Sequence, residues 1–294
     1  IVVRLVGSEM CIRDRILMIS LSTKLKIKCA SLISNFLIIF LGDKNRIITR
    51  NNINYCINLK EGIDLGIFLA IKNEESILNI EKITNINEKK TIIDIGANIG
   101  SVSLPLAKMF KNSTIISIEP TIYAFSKLKK NVNLNPNLKK RINLQNIFVS
   151  NKNKIIREVH SSWNFSDNLK KHKVHLGTLK KTSLKTKKLD DICSKIKNIK
   201  FIKIDVDGHE LDVLKSGKKT IMKHKPFIYF EFAPYLYKEF GYTSKTLINF
   251  IKRELNYTFY DENLIKVLNI GDFVKKLHNR SQNFFLIHKS IKVG

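Results

Sequence analysis

The chain has 294 residues, of which 44% are hydrophobic and 26% are charged. This length and balance exclude a disordered or fibrous chain and are sufficient for one large domain with a packed core. The net charge of +27 suggests an anionic partner such as nucleic acid or a membrane surface. Most of the basic residues are lysines, however, and a lysine-, asparagine- and isoleucine-rich composition is also typical of A/T-rich codons. Because arginine, the preferred phosphate ligand, is scarce, we expect no DNA partner.

The first 90 residues precede the main pattern of the chain. Residues 5–15, LVGSEMCIRDR, resemble the translation of a sequencing-library adaptor, so we set residues 1–15 aside as an artefact. Residues 16–90 are predicted to form an N-terminal extension. Within it, CASLISNFLIIFLG (29–42) is short for a membrane span and lacks a signal-peptide cleavage site. It predicts a docking helix, with peripheral membrane contact as the alternative. The isolated cysteines suit reduced thiols and a cytoplasmic protein.

Strands and helices alternate along most of the remaining sequence. A strand and a helix at one sheet edge are predicted within residues 44–90. Apolar strands then follow in TIIDI, STIISIEP, INLQNIFVS, FIKIDV and PFIYFEF, separated by amphipathic helices. YTFYD and NFFLIHK are predicted to be two edge strands. Continuous apolar strands between helices indicate an α/β fold with a mostly parallel sheet covered on both faces.

Residues 151–188 interrupt this alternation and are predicted to form a hairpin-like insertion beside the carboxyl edge of the sheet. Eight lysines lie between positions 170 and 188. They form either a solvated edge that deters aggregation or a basic lip for an anionic, nucleotide-linked or lipid-linked substrate. His172 and His175 have lysines around them and no third ligand nearby, so we predict no metal site.

The loop after TIIDI reads Asp94-x-Gly96-x-Asn98-x-Gly100. It has neither the third glycine of a dinucleotide fingerprint nor the Gly-Lys-Ser/Thr of a P-loop. A carboxylate at this loop would repel pyrophosphate and suits the cationic amino-acid end of S-adenosylmethionine, while Glu119 could bind ribose hydroxyls. The sequence therefore predicts S-adenosylmethionine as cofactor, bound by Asp94, Gly96, Ala97, Asn98, Gly100, Glu119, Pro120 and, at adenine, Asn146.

Four motifs together resemble the FkbM family of S-adenosylmethionine-dependent methyltransferases: IIDIGANIGSVSLPLAK, IISIEP, FIKIDVDGHELDVLKSG and KPFIYFEFAPY. The resemblance implies a Rossmann-like class I methyltransferase domain over residues 91–290, with a seven-stranded, mostly parallel sheet. It also implies methyl transfer to oxygen, in several members to a sugar hydroxyl. Asp207 departs from the family pattern, which usually has glutamate there.

Methyl transfer to a hydroxyl needs a positioned acceptor and a group that removes a proton. The candidate catalytic residues are Asp205 after the fourth strand, His209 on the next helix and Glu231 at the end of the fifth strand. Asp205 and Glu231 could equally orient the acceptor or bind a metal ion together. The acceptor is expected to be a small molecule or glycan. An RNA ribose or protein methyltransferase and a non-catalytic binding module remain alternatives.

Overall fold

The computed structural model describes residues 23–70, 75–84, 88–161, 164–165, 178–277 and 280–291. Residues 1–15, interpreted above as an artefact, and the pair His172 and His175 lie outside this part of the chain. The N-terminal region consists of α1 (Thr23–Leu41), β1 (Asn45–Arg50), β2 (Ile53–Asn58), α2 (Gly62–Phe68) and α3 (Glu75–Ile83). The predicted strand and helix correspond to β2 and α2, and β1 adds an antiparallel partner that was not predicted.

The central region contains the predicted alternation. Its first half runs through β3 (Thr91–Ile95), α4 (Ser103–Met109), β4 (Thr114–Ile118), α5 (Ile122–Asn133), α6 (Pro136–Lys139) and β5 (Ile142–Gln145). Its second half runs through α7 (Leu189–Ile192), β9 (Ile199–Ile204), α8 (Glu210–Ser216), α9 (Lys218–His224), β10 (Phe227–Phe232), α10 (Pro234–Tyr237), α11 (Ser244–Asn249), β11 (Tyr257–Tyr260), α12 (Ile270–Leu277) and β12 (Gln282–His288). A 3₁₀ turn (Lys238–Phe240) follows α10 and a π-helical turn (Phe250–Glu254) follows α11.

Seven strands form the main sheet in the order β11-β12-β10-β9-β3-β4-β5. The pairs from β10 to β5 are parallel, and β12 is antiparallel to both of its neighbours. This order gives the seven-stranded, mostly parallel sheet that the sequence predicted. The prediction of two edge strands at the end of the chain is wrong for β12, which lies inside the sheet. It pairs with β10 on one side and β11 on the other, and its aromatic side chains Phe284 and Phe285 are fully buried.

Both faces of the sheet are buried, as continuous apolar strands require. Alternate residues of β3 and β4 enter opposite cores: Ile93 and Ile116 pack on one face, whereas Ile92 and Ile115 pack on the other. The second core also receives β2 and α2 of the N-terminal region, through residues such as Ile57 and Leu65. The carboxyl ends of β4, β3, β9 and β10 consequently meet along one edge.

The segment INLQNIFVS, predicted as one strand, is divided. Residues 142–145 form β5 of the main sheet, and β6 (Phe148–Val149) leaves it to pair with β8 (Thr178–Lys187). β8 also pairs in antiparallel register with β7 (Ile155–Ser161), so the insertion is the predicted hairpin extended by a third strand. Asn146 lies just after β5, where the chain leaves the main sheet. Its side-chain amide donates to the carbonyls of Glu119 and Pro120, which follow β4.

Within the described ranges, no helix combines the length and apolar character needed to cross a bilayer.

Candidate active site

The glycine loop turns sharply at the carboxyl end of β3. Gly96, Asn98 and Gly100 have φ angles of +79°, +49° and +91°, a region that favours glycine and, to a smaller extent, asparagine. A Cβ atom at Gly96 would overlap the carbonyl oxygen of Asp205. Gly96 therefore allows the loop to pack directly against the end of β9. The amides of Gly96 and Ala97 donate to the carbonyl of Ile118, which fixes the loop against β4 as well.

Asp94 lies beneath this loop, and its side chain is fully buried. Its Oδ2 accepts a hydrogen bond of 2.6 Å from Ser103 Oγ, and its Oδ1 lies 3.5 Å from Lys203 Nζ. The sequence interpretation placed this carboxylate at the mouth of the loop, facing a ligand. The structure instead turns it inward, because a serine of α4 and a lysine of β9 compensate its charge there. Direct contact between Asp94 and a cofactor remains a prediction.

Lys203 connects three parts of the site. Its Nζ lies 3.1 Å from Asp205 Oδ2 and donates a 3.0 Å hydrogen bond to the carbonyl of Gly96, in addition to its contact with Asp94. Burial disfavours the charged ammonium, but the charges of Asp205 and Asp94 outweigh this effect and raise the pKa of Lys203. The lysine therefore stays protonated and holds the glycine loop to the end of β9.

Glu119 directly follows β4, and its side chain contacts the glycine loop. Its Oε2 accepts the amide of Asn98 at 2.9 Å, and its Oε1 accepts the amide and hydroxyl of Thr121. Burial raises its pKa, and these hydrogen bonds oppose the rise. The side-chain amide of Asn146 donates to the carbonyls of Glu119 and Pro120, at 2.7 and 3.1 Å. All eight predicted cofactor-binding residues thus belong to one connected region, and their contact with a cofactor remains a prediction.

Four carboxyl groups surround the ends of β9 and β10. Asp205 is 42% exposed and retains its contact with Lys203, whereas Glu231 is half-buried near the end of β10. Asp207 has φ +47°, and burial, followed by the charges of Asp205, Glu210 and Glu119, raises its pKa to about 7. Burial also raises the pKa of Glu210 to about 8, and Glu231 and Asp205 contribute to the rise. At neutral pH this edge therefore holds both charged and protonated carboxyls.

Glu210 lies beside the hydroxyl of Tyr242, and the contact between them bears on whether the carboxyl group is protonated. The hydroxyl of Tyr242 donates to the carbonyl of Gly208 at 2.6 Å and lies 3.3 Å from Glu210 Oε2. A tyrosine hydroxyl has one proton to donate. The contact with Glu210 is therefore satisfied when the carboxyl group itself carries a proton, in agreement with its raised pKa.

His209 is placed differently from the carboxylates. Its ring lies edge-on to Phe148, with 5.1 Å between the ring centroids, and 4.2 Å from the ring of Phe240. Burial lowers its pKa to about 4; the charges of Lys154 and Lys152 act in the same direction, whereas that of Asp212 opposes them. His209 is consequently neutral at pH 7. His209 directly precedes α8, where its ring packs against the rings of Phe148 and Phe240. Its catalytic role remains a prediction.

The sequence interpretation missed Lys203, although a signal for it was present. In FIKIDV, the two-residue period of a strand places Lys203 and Asp205 on one face. The parallel register of β3 and β9 then pairs Asp94 with Lys203. A lysine flanked by acids inside an apolar strand indicates a buried ion pair, but the register that brings the partners together was not known.

Comparisons with known proteins agree with this architecture. A family model described as the methyltransferase FkbM domain matches residues 94–259, more than half of the chain. A 2-O-methyltransferase, NoeI, from Sinorhizobium fredii is 29% identical over 56% of this chain and 73% of its own length. The crystal structure of methyltransferase FkbM from Methylobacillus flagellatus aligns with a TM-score of 0.45 and 17% identity. The alignment covers 73% of this chain but only 48% of that protein.

A second solved structure is that of TYW2 from M. jannaschii in complex with AdoMet. It aligns with a TM-score of 0.39 and 13% identity, over 83% of this chain and 84% of its own. The match to the family model, together with the sheet order and the position of the glycine loop, establishes the relationship. The chain belongs to the FkbM family of methyltransferases.

Proposed function

We propose that the protein is an S-adenosylmethionine-dependent O-methyltransferase that acts on a hydroxyl group of a saccharide-like acceptor. The observation that carries this proposal is the excess of carboxyl groups over cationic groups at the edge where the glycine loop meets β4 and β9. Asp94, Glu119, Asp205 and Asp207 lie there with Lys203 between two of them. This balance favours a cationic ligand over a pyrophosphate.

The residues present fit this cofactor. S-adenosylmethionine supplies an activated methyl group on a positively charged sulfur. Asp94 Oδ1 is buried below the loop, and its partner in the described part of the chain is the ammonium of Lys203 at 3.5 Å, which is an ion pair without a short hydrogen bond. Glu119 presents a carboxylate at the end of the second strand of the fold, where ribose hydroxyls are commonly bound. Gly96, Ala97, Asn98 and Gly100 would bring their backbone close to the ligand, and Pro120 and Asn146 would border its base.

Oxygen is the proposed methyl acceptor because carboxyl groups that can remove a hydroxyl proton adjoin the loop. A general base works best when its pKa is close to the working pH, and Asp207, at about 7, meets this condition. Asp205 and Glu231 would orient the acceptor by accepting hydrogen bonds from its hydroxyl groups. Burial lowers the pKa of His209 to about 4, so it is a weaker base than Asp207. The relative named as a 2-O-methyltransferase supports transfer to oxygen and gives a precedent within the family.

Two measurements test the proposal in order. Calorimetric titration of the full chain should show binding of S-adenosylmethionine and much weaker binding of NAD. Glu119→Ala should weaken this binding by removing a carboxylate beside the loop, and Asp94→Ala should weaken it indirectly, because Lys203, which holds the glycine loop, loses a buried partner. Tighter binding of NAD would refute the cofactor assignment.

The acceptor is then identified with a methyl-labelled donor. The full chain is incubated with glycolipid, polysaccharide, RNA and protein fractions from a host. We expect the label in a saccharide-containing fraction. Label that appears only in RNA or protein would refute the saccharide assignment while leaving the cofactor assignment intact. Donor binding without transfer to any fraction would favour a non-catalytic module.

A further inference from the structure

Helix α1 exposes an apolar surface that the catalytic fold does not use. Leu32, Phe36, Ile39 and Phe40 are 63%, 65%, 83% and 75% exposed, and these four residues define the outer face of α1. Their spacing of three, four, seven and eight residues places them on one side of the helix. The rings of Phe36 and Phe40 stack, with 6.3 Å between their centroids. Side chains of this size and exposure rarely cluster on a surface that has no partner.

The opposite side of the helix is packed, so the outer face has a fixed orientation. Ile27, Ala30, Leu37, Ile38 and Leu41 contact the core that also contains β2 and α2. Lys60 donates a hydrogen bond to Asn35 near the middle of the helix, and the Arg46 guanidinium donates to the carbonyl of Leu41 at its end. A rotation that buried the outer face would break these contacts.

Charge is distributed unevenly along α1. The segment 29–41 contains no charged residue, whereas Lys26 and Lys28 lie in the first two turns. Burial lowers the pKa of Lys26, and the nearby positive charge of Arg280 lowers it further, so cationic groups converge at this end of the helix. A cationic end beside an exposed apolar side is the pattern of a helix that lies in the interface of an anionic membrane.

We propose that the outer face of α1 binds the surface of an anionic lipid bilayer, with Phe36, Ile39 and Phe40 among the acyl chains and the basic end at the headgroups. A second copy of the chain would also cover the apolar side chains. The net charge of +27 on each copy opposes such pairing, whereas it attracts anionic lipid. The proposal does not depend on the identity of the methyl donor or acceptor.

Flotation with vesicles tests this surface. The full chain is mixed with vesicles of phosphatidylcholine alone or of phosphatidylcholine with phosphatidylglycerol, at low and high salt. We expect flotation with the anionic vesicles. The triple variant Phe36→Gln, Ile39→Gln, Phe40→Gln should lower the partition coefficient at least about 100-fold, since each large side chain is worth about tenfold or more on burial. Lys26→Gln and Lys28→Gln should each lower it about fivefold.

A matched control separates this surface from general stickiness. Ile155, Ile265 and Leu268 are 58%, 64% and 83% exposed, so their conversion to Gln removes similar apolar groups elsewhere. This variant should float like the wild type. Failure of the wild type to float with anionic vesicles, or equal flotation of both triple variants, would refute the proposal. A dimer in sedimentation that only the α1 variant abolishes, without flotation of the wild type, would assign the face to a second copy instead. Thermal melts confirm that each variant is folded.

Discussion

Replacement of Lys203 by methionine should strongly destabilise the fold, because it leaves a buried carboxylate without its counter-charge. The Lys203 side chain is 7% exposed and that of Asp94 is 0% exposed, with 3.5 Å between their charged atoms. At an effective dielectric constant of about 20, this pair attracts by roughly 5 kcal/mol. The contact with Asp205 adds less than its 3.1 Å separation suggests, because that carboxylate is 42% exposed and is screened by water.

The measured loss should be smaller than the sum of these attractions, since burying the lysine itself costs free energy. Removal of one member of a buried pair typically costs about 3–5 kcal/mol. We therefore expect Lys203→Met to lower the free energy of unfolding by about this amount in urea denaturation. Asp94→Asn in the same chain removes the unpaired charge, so the double variant should regain at least about half of the loss.

A second lysine provides a matched control. Lys218 forms an ion pair with Glu254 at 2.6 Å, but its side chain is 45% exposed and that of Glu254 is 54% exposed. Lys218→Met should therefore cost far less stability than Lys203→Met, despite the shorter distance. Equal losses in the two lysine variants, or no recovery in the double variant, would refute the argument that burial makes Lys203 structurally important.

Three further predictions concern the loop and the acidic edge. Gly96→Ala should weaken S-adenosylmethionine binding more than about tenfold, because its Cβ would overlap the Asp205 carbonyl; Gly241→Ala, with a similar φ of +77° and no atom within 4 Å, should leave binding in titrations nearly unchanged. The methylation rate should fall as pH drops below about 7, where Asp207 takes up a proton, and Asp207→Asn should remove this limb of the pH–rate profile; an unchanged profile would exclude Asp207 as the base. The pKa of Glu210 is raised from 4.5 to about 8, so the folded chain keeps a proton that the unfolded chain releases and stability falls as pH rises between these values. Denaturation at a series of pH values gives the free energy of unfolding of both chains. Between pH 4.5 and 8 the wild type should lose up to about 5 kcal/mol more stability than Glu210→Gln. Equal pH dependence in the two chains would contradict a protonated Glu210.

The elements around the site could be predicted from local patterns. TIIDI and the β4 segment are short apolar runs of β-branched residues bounded by an acid and a loop, and this local pattern is typical of buried strands. The position of β12 between β10 and β11 was not predictable in this way. It depends on pairings such as Phe230 with Phe284, which join residues far apart in sequence. β1 was missed because its apolar run is only two residues long, Ile47 and Ile48, and of these Ile47 is exposed, so its sequence lacks the continuous apolar run of the main strands.

The sequence identified Asp94 as an acidic residue of the site, but it did not indicate which group this carboxylate contacts. From sequence, Asp94 was an acid at the mouth of a loop, and Lys203 was one lysine among many. In the structure they neutralise one another below the loop, so Asp94 contributes little net field to a ligand above it. The selection of a cation must then rest on Glu119, Asp205 and the groups beyond them.

The net charge of the acidic edge changes with pH near neutrality, because Asp207 and Glu210 have pKa values of about 7 and about 8. Burial, and after it the charges of neighbouring carboxylates, raises the pKa values of Asp207 and Glu210, so the carboxyl groups of this edge are not all ionised at neutral pH. A positively charged ligand bound beside them would favour their ionised forms. By linkage, its binding should release protons and strengthen as pH rises from 6 towards 8. Calorimetry of S-adenosylmethionine in buffers of different ionisation enthalpy measures this release directly, and binding without proton release would mean that the carboxyl groups do not face the ligand.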